Sequence, residues 1–192
     1  VNDLGSWALV AWQAQFYVRV FEIGPEVYAP LLACAIPIGG ILGGVGGGLL
    51  ADKLGSGWGR SVLTSACNIA AAPLLAASIF AEDYHSSFAF LTAGFALSEA
   101  WRAPSAVLVR EIADSSMGAA SSAIHLCIRN FLGGLGPLGV AVLEERLGGG
   151  LQQAMAAIPV CYALSGILFL GAQAAFIRDI RLETANELQR SE

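Results

Sequence analysis

Charged residues are scarce in this chain: Asp, Glu, Lys and Arg make up 13% of its 192 residues, about half the usual share of a soluble domain. A soluble chain of this length needs more charge to coat its surface, whereas a chain surrounded by lipid does not. Hydrophobic residues make up 56% of the sequence. The shortage of charge therefore excludes an ordinary soluble domain and predicts an integral membrane protein.

Several long stretches lack charge almost completely. Residues 27–50, 61–81 and 152–177 contain none, and residues 86–109 and 118–143 contain only a few ionisable groups. A helix needs about 20 apolar residues to cross roughly 30 Å of hydrocarbon. With a shorter apolar stretch near the start, the sequence predicts an all-α, polytopic membrane protein. Its predicted spans are residues 4–20, 27–51, 61–81, 86–110, 117–144 and 151–178, and a polar tail follows over 179–192.

The motifs of catalytic and cofactor sites are also lacking. The four cysteines are far apart within the predicted spans and form no C-x-x-C pair, which favours packing over disulfide or metal use. The sequence contains no recognisable nucleophile–base pair, metal-ligand spacing or phosphate-binding G-K-[ST] loop. We therefore expect no enzyme activity, no cofactor, no metal and no nucleic-acid partner.

The basic residues predict an orientation. One side of the predicted bundle carries six of them and the other carries only Arg19 and Arg146. Cytoplasmic loops carry the excess of Lys and Arg in membrane proteins. The richer side, and with it the C-terminal tail, is therefore predicted to be cytoplasmic. Its basic residues are Lys53, Arg60, Arg110, Arg178, Arg181 and Arg190.

Glycines mark two of the predicted spans. In the second span they recur every four residues along two parallel stripes: Gly39, Gly43 and Gly47, and Gly40, Gly44 and Gly48. Helices in lipid associate by close approach through such small residues. The stripes predict close packing, either static or with a face that shifts during a conformational cycle. In the fifth span, "NFLGGLGPLG" contains Gly136 and Pro137 and predicts a bend.

Ionisable groups lie deep in only two predicted spans. The fourth carries Glu99 and Arg102, and the fifth carries His125 and Arg129. An unpaired charge at this depth costs at least about 2.5–3.5 kcal/mol, so these side chains should face the protein or water. We expect the third and sixth spans, which lack such groups, to face lipid.

The heights of these groups suggest how they pair. With a rise of 1.5 Å per residue, Glu99 and Arg129 both lie roughly 16–18 Å from the cytoplasmic ends of their helices. They can therefore pair if the two helices are neighbours, and Glu99 can also pair with Arg102 along one helix. The pairs either fix helix packing or line a substrate or proton route. His125 is either a satisfied buried residue or a ligand or relay, and Trp101 is either a cavity wall or a lipid-facing aromatic.

The segment "GGGLLADKLGSGWGR" resembles the G-x-x-x-D-[RK]-x-G-[RK]-[RK] loop motif of the major facilitator superfamily. Gly48, Asp52, Lys53 and Gly55 match it, and Arg60 follows after the insertion "SGW". In that superfamily the motif lies in the cytoplasmic loop after the second helix of each six-helix half. The passage "LVREIADSSMGAASSAIHLCIRNFLGGLGPLGVAVLEERLG" is similar to the region between the fourth and fifth helices of the C-terminal half. Together with "SEAWRAPS", it most resembles spinster-like lipid exporters.

This resemblance implies a six-helix half-bundle, equivalent to helices seven to twelve of a twelve-helix transporter, with a truncated first helix. It also implies a missing N-terminal half, whose helix ends Asp52 and the nearby bases would contact to close a cytoplasmic gate. A repeat within the half would relate helices one to three, inverted, with helices four to six.

We therefore expect a secondary active transporter that moves a small organic or lipid-like solute by alternating access, with or without a coupled proton. Glu99 is the expected protonatable or substrate-contacting group, with Arg102 and Arg129 as charge partners or anion anchors. The alternative is a receptor or scaffold that reuses the fold without transport.

Overall fold

In the computed structural model, residues 1–55, 57–112 and 117–190 are described, with side chains for all of these except residues 57, 108, 111, 112, 173 and 175–190. The secondary structure of these residues is helical. The helices are α1 (Asn2–Val20), α2 (Pro25–Leu54), α3 (Gly57–Ile79), α4 (Tyr84–Glu99), α5 (Arg102–Ile112), α6 (Gly118–Leu147), α7 (Gly150–Met155) and α8 (Ala157–Arg190).

Two of the six predicted spans are interrupted. The fourth is divided into α4 and α5 at Ala100–Trp101, and the sixth into α7 and α8 at Ala156. Proline has no N–H, and its ring clashes with the carbonyl four residues earlier. Pro104 lies four residues after Ala100, and Pro159 lies four residues after Met155, the last residue of α7. Each break therefore falls where a proline removes the helical hydrogen bond.

Four described helical segments are long and apolar enough to cross a membrane: Pro25–Leu54, Trp58–Ile79, Gly118–Leu147 and Gly150–Ala172, the last of which joins α7 to the first part of α8. They correspond to the second, third, fifth and sixth predicted spans. The all-helical chain is thus compatible with an integral, multi-pass membrane protein. The side chains of Arg178, Arg181 and Arg190, on which part of the predicted orientation depends, lie outside the described set.

The N-terminus of α4 is fixed by a side-chain cap. The carboxylate of Asp83 accepts a hydrogen bond from the backbone N–H of Ser86 at 2.9 Å and another from its hydroxyl at 2.7 Å. These bonds, the hydroxyl's above all, hold the pKa of the Asp83 carboxyl below its usual range. The cap satisfies a backbone donor that a helix otherwise leaves unpaired, and it fixes the start of the helix that ends at Glu99.

The helices pack in a regular pattern of pairs. The most extensive contacts join α3 to α8, α3 to α4, α1 to α6 and α2 to α4. If α4–α5 is counted as the fourth span and α7–α8 as the sixth, the pairs are one with five, two with four, three with six and three with four. Exchanging spans one to three with spans four to six converts the first three pairs into themselves. It converts three with four into six with one, which are also in contact but less extensively. The pairing is compatible with an inverted repeat, which stays a prediction.

The stripe of Gly39, Gly43 and Gly47 forms the contact between α2 and α4. A Cβ at Gly43 would overlap the carbonyl oxygen of Ala96, and one at Gly47 would overlap that of Ala100. The second stripe differs, because a Cβ at Gly44 would meet nothing within 4 Å. Both stripes were expected to support close packing, but the described helices use only the first in this way.

Glycines also set the contact between α1 and α6. A Cβ at Gly136 would overlap the backbone of Leu4, and one at Gly133 would lie 2.7 Å from Cδ1 of Trp7. The indole N–H of Trp12 donates to the carbonyl oxygen of Pro137 at 2.9 Å. This hydrogen bond places the carbonyl group of Pro137 at the contact between α1 and α6. α6 is continuous through Pro137.

The third and sixth spans are more buried within the described bundle than the second and fifth, and their contact with lipid stays a prediction. In their most apolar windows, 44% and 39% of the residues are buried, against 17% in both α2 and α6. α3 buries uncharged polar side chains, among them Thr64, Ser65, Asn68 and Ser78. Thr64, Asn68 and Ser78 form hydrogen bonds within their helix or to α4, whereas the hydroxyl of Ser65 has no hydrogen-bond partner among the described residues. A helix without charge can therefore still bury polar groups inside the bundle.

The two glycine stripes predict opposite effects of the same substitution. Gly43→Ala should destabilise the protein by about 1–3 kcal/mol, because the new methyl group overlaps the backbone of α4. Gly44→Ala is the matched control: it should leave stability unchanged or raise it by up to about 1 kcal/mol through helix propensity. Unfolding in mixed micelles at increasing denaturing detergent measures both. Equal effects would contradict the assignment of the first stripe to the α2–α4 contact.

Candidate functional site

An ion pair joins α1 to α6 within the bundle. Arg129 donates from Nε to Oδ2 of Asp3 at 2.7 Å and from Nη2 to Oδ1 at 2.8 Å. The two side chains are only 16% and 10% exposed. Paired N–H donors matching both carboxylate oxygens are the most specific geometry that arginine can form. The pair thus fixes both the position and the plane of the guanidinium.

A second ion pair marks the same two helices at their other ends, where Arg19 contacts Glu144 at 2.7 Å. The two pairs lie 16 residues apart on α1 and 15 residues apart on α6. At a rise of 1.5 Å per residue this separation is about 24 Å on α1 and about 22 Å on α6. α1 and α6 are therefore parallel and in register.

Glu99 and Arg102 form a third ion pair across the break between α4 and α5. Nη2 of Arg102 donates to Oε1 of Glu99 at 2.8 Å, and its Nε donates to Oε2. The Glu99 side chain is 9% exposed and that of Arg102 is 43% exposed. Of the two partners predicted for Glu99, the structure pairs it with Arg102, whereas Arg129 pairs with Asp3.

Trp101 connects these groups. Its ring lies under the guanidinium of Arg129, with 4.5 Å from Cζ to the ring centroid, a distance typical of a cation–π contact. On another side its ring centroid is 6.0 Å from that of Phe169. Trp101 is buried, so it is not the lipid-facing aromatic that one interpretation expected. Its Nε1 has no hydrogen-bond partner among the described residues.

His125 lies one helical turn before Arg129 on α6. The residue is half-buried, and its Nε2 is buried without a hydrogen-bond partner within the described ranges. The interpretation of His125 as a fully satisfied buried histidine therefore does not match its surroundings. A role as a ligand or proton relay stays a prediction.

A cavity of about 410 Å³ opens between α1, the α4–α5 break and α6. Its walls are mainly apolar or aromatic, and its charged lining groups are the side chains of Arg102 and Arg129. The carboxylates that hold these arginines are not in the lining. The lining residues are Ser6, Trp7, Val10, Ala11, Phe95, Arg102, Leu126, Arg129 and Asn130.

This arrangement can recognise an anion. A guanidinium has five N–H donors, and each of these two arginines uses two of them on its carboxylate. Three donors on each remain for another acceptor. The carboxylates lower the cost of holding positive charge at this depth, while the apolar walls suit a hydrophobic body attached to the anionic group.

The loop-motif residues lie apart from the cavity. Gly48 is on α2, Asp52 and Lys53 are exposed in its last turn, and Gly55 ends the helix with a positive φ of 70°. Arg60 lies in the first turns of α3, where its carbonyl accepts a hydrogen bond from the Thr64 hydroxyl at 2.9 Å. The inserted residue 56 and residues 113–116 of the second resembling passage lie outside the described residues.

The site residue that sequence reasoning missed is Asp3. The predicted first span began at residue 4, so Asp3 counted as a residue outside the bundle. A signal was available: Asp3 and Arg19 are separated on the first helix by nearly the same number of residues as Arg129 and Glu144 on the fifth. Two opposite-charge pairs at matching spacing indicate parallel neighbouring helices.

Comparisons of the chain with protein-family models, with curated proteins and with solved structures found no match. The functional argument therefore depends on the residues of the cavity and on the helices that position them.

The two ion pairs between α1 and α6 predict different costs of losing an arginine. Arg129→Gln should destabilise the protein by about 3–5 kcal/mol, because it leaves the buried Asp3 carboxylate without a partner. Arg19→Gln, on the same pair of helices, should cost at most about 1 kcal/mol, because its partner is more exposed. Detergent-induced unfolding of both variants measures the difference. Similar midpoints would contradict the buried character of the Asp3–Arg129 pair.

Proposed function

We propose that this chain is one half of a secondary active transporter of the major facilitator type, which moves a small amphipathic solute with an anionic group. The observation that carries the proposal is the cavity whose charged lining is two arginines, each held by a carboxylate behind it. Intramembrane ionisable groups are costly and are retained mainly where they serve a substrate or ion pathway.

The packing of the helices supports this proposal. The pairs of spans one with five, two with four and three with six fit the symmetry of an inverted repeat, and the contact of three with four has a smaller counterpart in that of six with one. Transporters built from such repeats bind their substrates at the repeat interface, at interrupted helices near the membrane midplane. The Ala100–Trp101 break lies directly beside Arg102, and the pairing brings the first, fourth and fifth spans around the cavity.

The residues of the site have separate proposed roles. Arg102 and Arg129 contact the anionic group, Trp7 and Phe95 contact the apolar body, and Glu99 is the protonatable group coupled to Arg102. The gate-motif residues, with Asp52 foremost, would contact a second six-helix half on the cytoplasmic side. α2 and α6 carry exposed apolar side chains, which would contact lipid or pack against the second six-helix half.

A matched pair of ligands tests the proposed site. Dodecyl phosphate should bind the full-length protein in phosphatidylcholine vesicles, whereas dodecyltrimethylammonium, with the same chain and the opposite charge, should bind at least about tenfold more weakly. Equilibrium binding measures both. Because equal binding of the two would reflect partition into lipid alone, that result would contradict an anion site.

Neutralised ion pairs provide the matched variants. Glu99→Gln with Arg102→Gln removes the cation without leaving a buried charge, and it should weaken dodecyl phosphate binding by about tenfold, equivalent to about 1.4 kcal/mol. Arg19→Gln with Glu144→Gln removes an ion pair far from the cavity and should leave binding unchanged.

Uptake of the same ligand into vesicles separates transport from a receptor role: binding without uptake would favour the non-transporting alternative.

A further inference from the structure

We propose that Asp3 is a positioning residue, whose carboxylate orients Arg129 so that the free N–H groups of the guanidinium meet the anionic group of the solute. This inference rests on the proposed anion site. It concerns a residue that does not line the cavity and acts only through another side chain.

The contacts of Arg129 determine its orientation almost completely. Asp3 binds the Nε–Nη2 edge of the guanidinium with two hydrogen bonds of 2.7 and 2.8 Å. Trp101 covers one face, with its ring centroid 4.5 Å from Cζ. An edge contact fixes rotation within the plane, and a face contact fixes the plane itself. The Nη1 edge, opposite the edge held by Asp3, therefore has a defined direction.

The carboxylate of Asp3 is well placed for this role and poorly placed for direct contact with a solute. It is 10% exposed and does not line the cavity, whereas Arg129 does. The neighbouring Asn2 donates through Nδ2 to Oδ1 of the buried Asn68 on α3. This hydrogen bond ties the start of α1 to the centre of the bundle and so fixes the backbone that carries Asp3.

The position of Trp101 extends the effect of Asp3 to the break in the fourth span. Trp101 lies between α4 and α5, directly before Arg102. Because Arg129 packs on the Trp101 ring, a misplaced guanidinium would remove a contact next to the second arginine of the cavity. Asp3 is thus coupled to Arg102 through Arg129 and Trp101.

Charge and positioning predict opposite effects of removing the Asp3 carboxylate. If Asp3 acts only through its charge, Asp3→Asn makes the surroundings of the cavity more positive and should tighten the binding of an anion. If Asp3 positions Arg129, the same substitution releases the Nε–Nη2 edge and should weaken binding. The sign of the change in affinity therefore distinguishes the two roles.

The experiment measures the Kd of dodecyl phosphate for the full-length protein and its Asp3→Asn variant in phosphatidylcholine vesicles. We expect Asp3→Asn to raise the Kd by about tenfold or more. Glu144→Gln is the control: it removes the acid of the other α1–α6 ion pair and should leave the Kd unchanged. An unchanged or lower Kd for Asp3→Asn would overturn the proposal.

Asp3→Glu covers the case in which Asp3→Asn does not fold. It keeps the charge and moves the carboxylate outward by one methylene group, so a role in charge or folding alone predicts an unchanged Kd. If Asp3 positions Arg129, Asp3→Glu should raise the Kd of dodecyl phosphate several-fold, while its melting temperature stays close to that of the wild type. A wild-type Kd for Asp3→Glu would overturn the proposal.

The exchanged pair Asp3→Arg with Arg129→Asp adds a test of a purely structural role. It restores an ion pair between α1 and α6 but removes the guanidinium from position 129. Restored stability with lost dodecyl phosphate binding shows that an ion pair between the helices is not enough for binding, whereas restored binding would contradict positioning. If the wild-type protein itself shows no specific binding, the proposed function fails and this inference fails with it; specific wild-type binding with unaffected Asp3 variants overturns the inference alone.

Discussion

Direct contact between helix backbones at glycine is the interaction on which the rest of this bundle depends. Lipid gives helices no hydrophobic reason to associate, so packing at short range must hold them together. Gly43 and Gly47 of α2 lie on the carbonyl groups of Ala96 and Ala100, and Gly136 of α6 lies on the backbone of Leu4 at the start of α1. These two contacts place the α4–α5 break and the N-terminal part of α1 on either side of one cavity. The Asp3–Arg129 pair of the site depends on this close approach of α1 and α6.

The sequence predicts the existence of the helices well, because long uncharged stretches have few alternatives in a chain so poor in charge. It predicts their interruptions less well, although Pro104 and Pro159 mark both breaks. The difference is physical: Pro30, Pro37, Pro73 and Pro137 lie within continuous helices. A proline therefore raises the probability of a break, and the surrounding packing decides whether it occurs.

The partners of individual side chains were harder to predict. The two glycine stripes of α2 have the same spacing, and only the tertiary contact distinguishes Gly43 from Gly44. Similar heights in the membrane made Glu99 a reasonable partner for Arg129, but height does not give the direction in which a side chain points. Asp3 provided a nearer carboxylate on a helix that was expected to begin after it.

The order of charges, with carboxylates behind and arginines in front, follows from the cost of burying charge. Asp3 and Glu99 could remain buried only with hydrogen-bonded cationic partners, and a forked guanidinium satisfies both oxygens of a carboxylate at once. The same pairing leaves each arginine with unused donors, since a carboxylate accepts two of its five N–H groups. A neutral ion pair therefore still presents a positive, hydrogen-bonding surface on the side away from its acid. The stability of the bundle and its capacity to bind an anion thus have the same origin, and the residues that hold the helices together can also orient the groups that meet a solute.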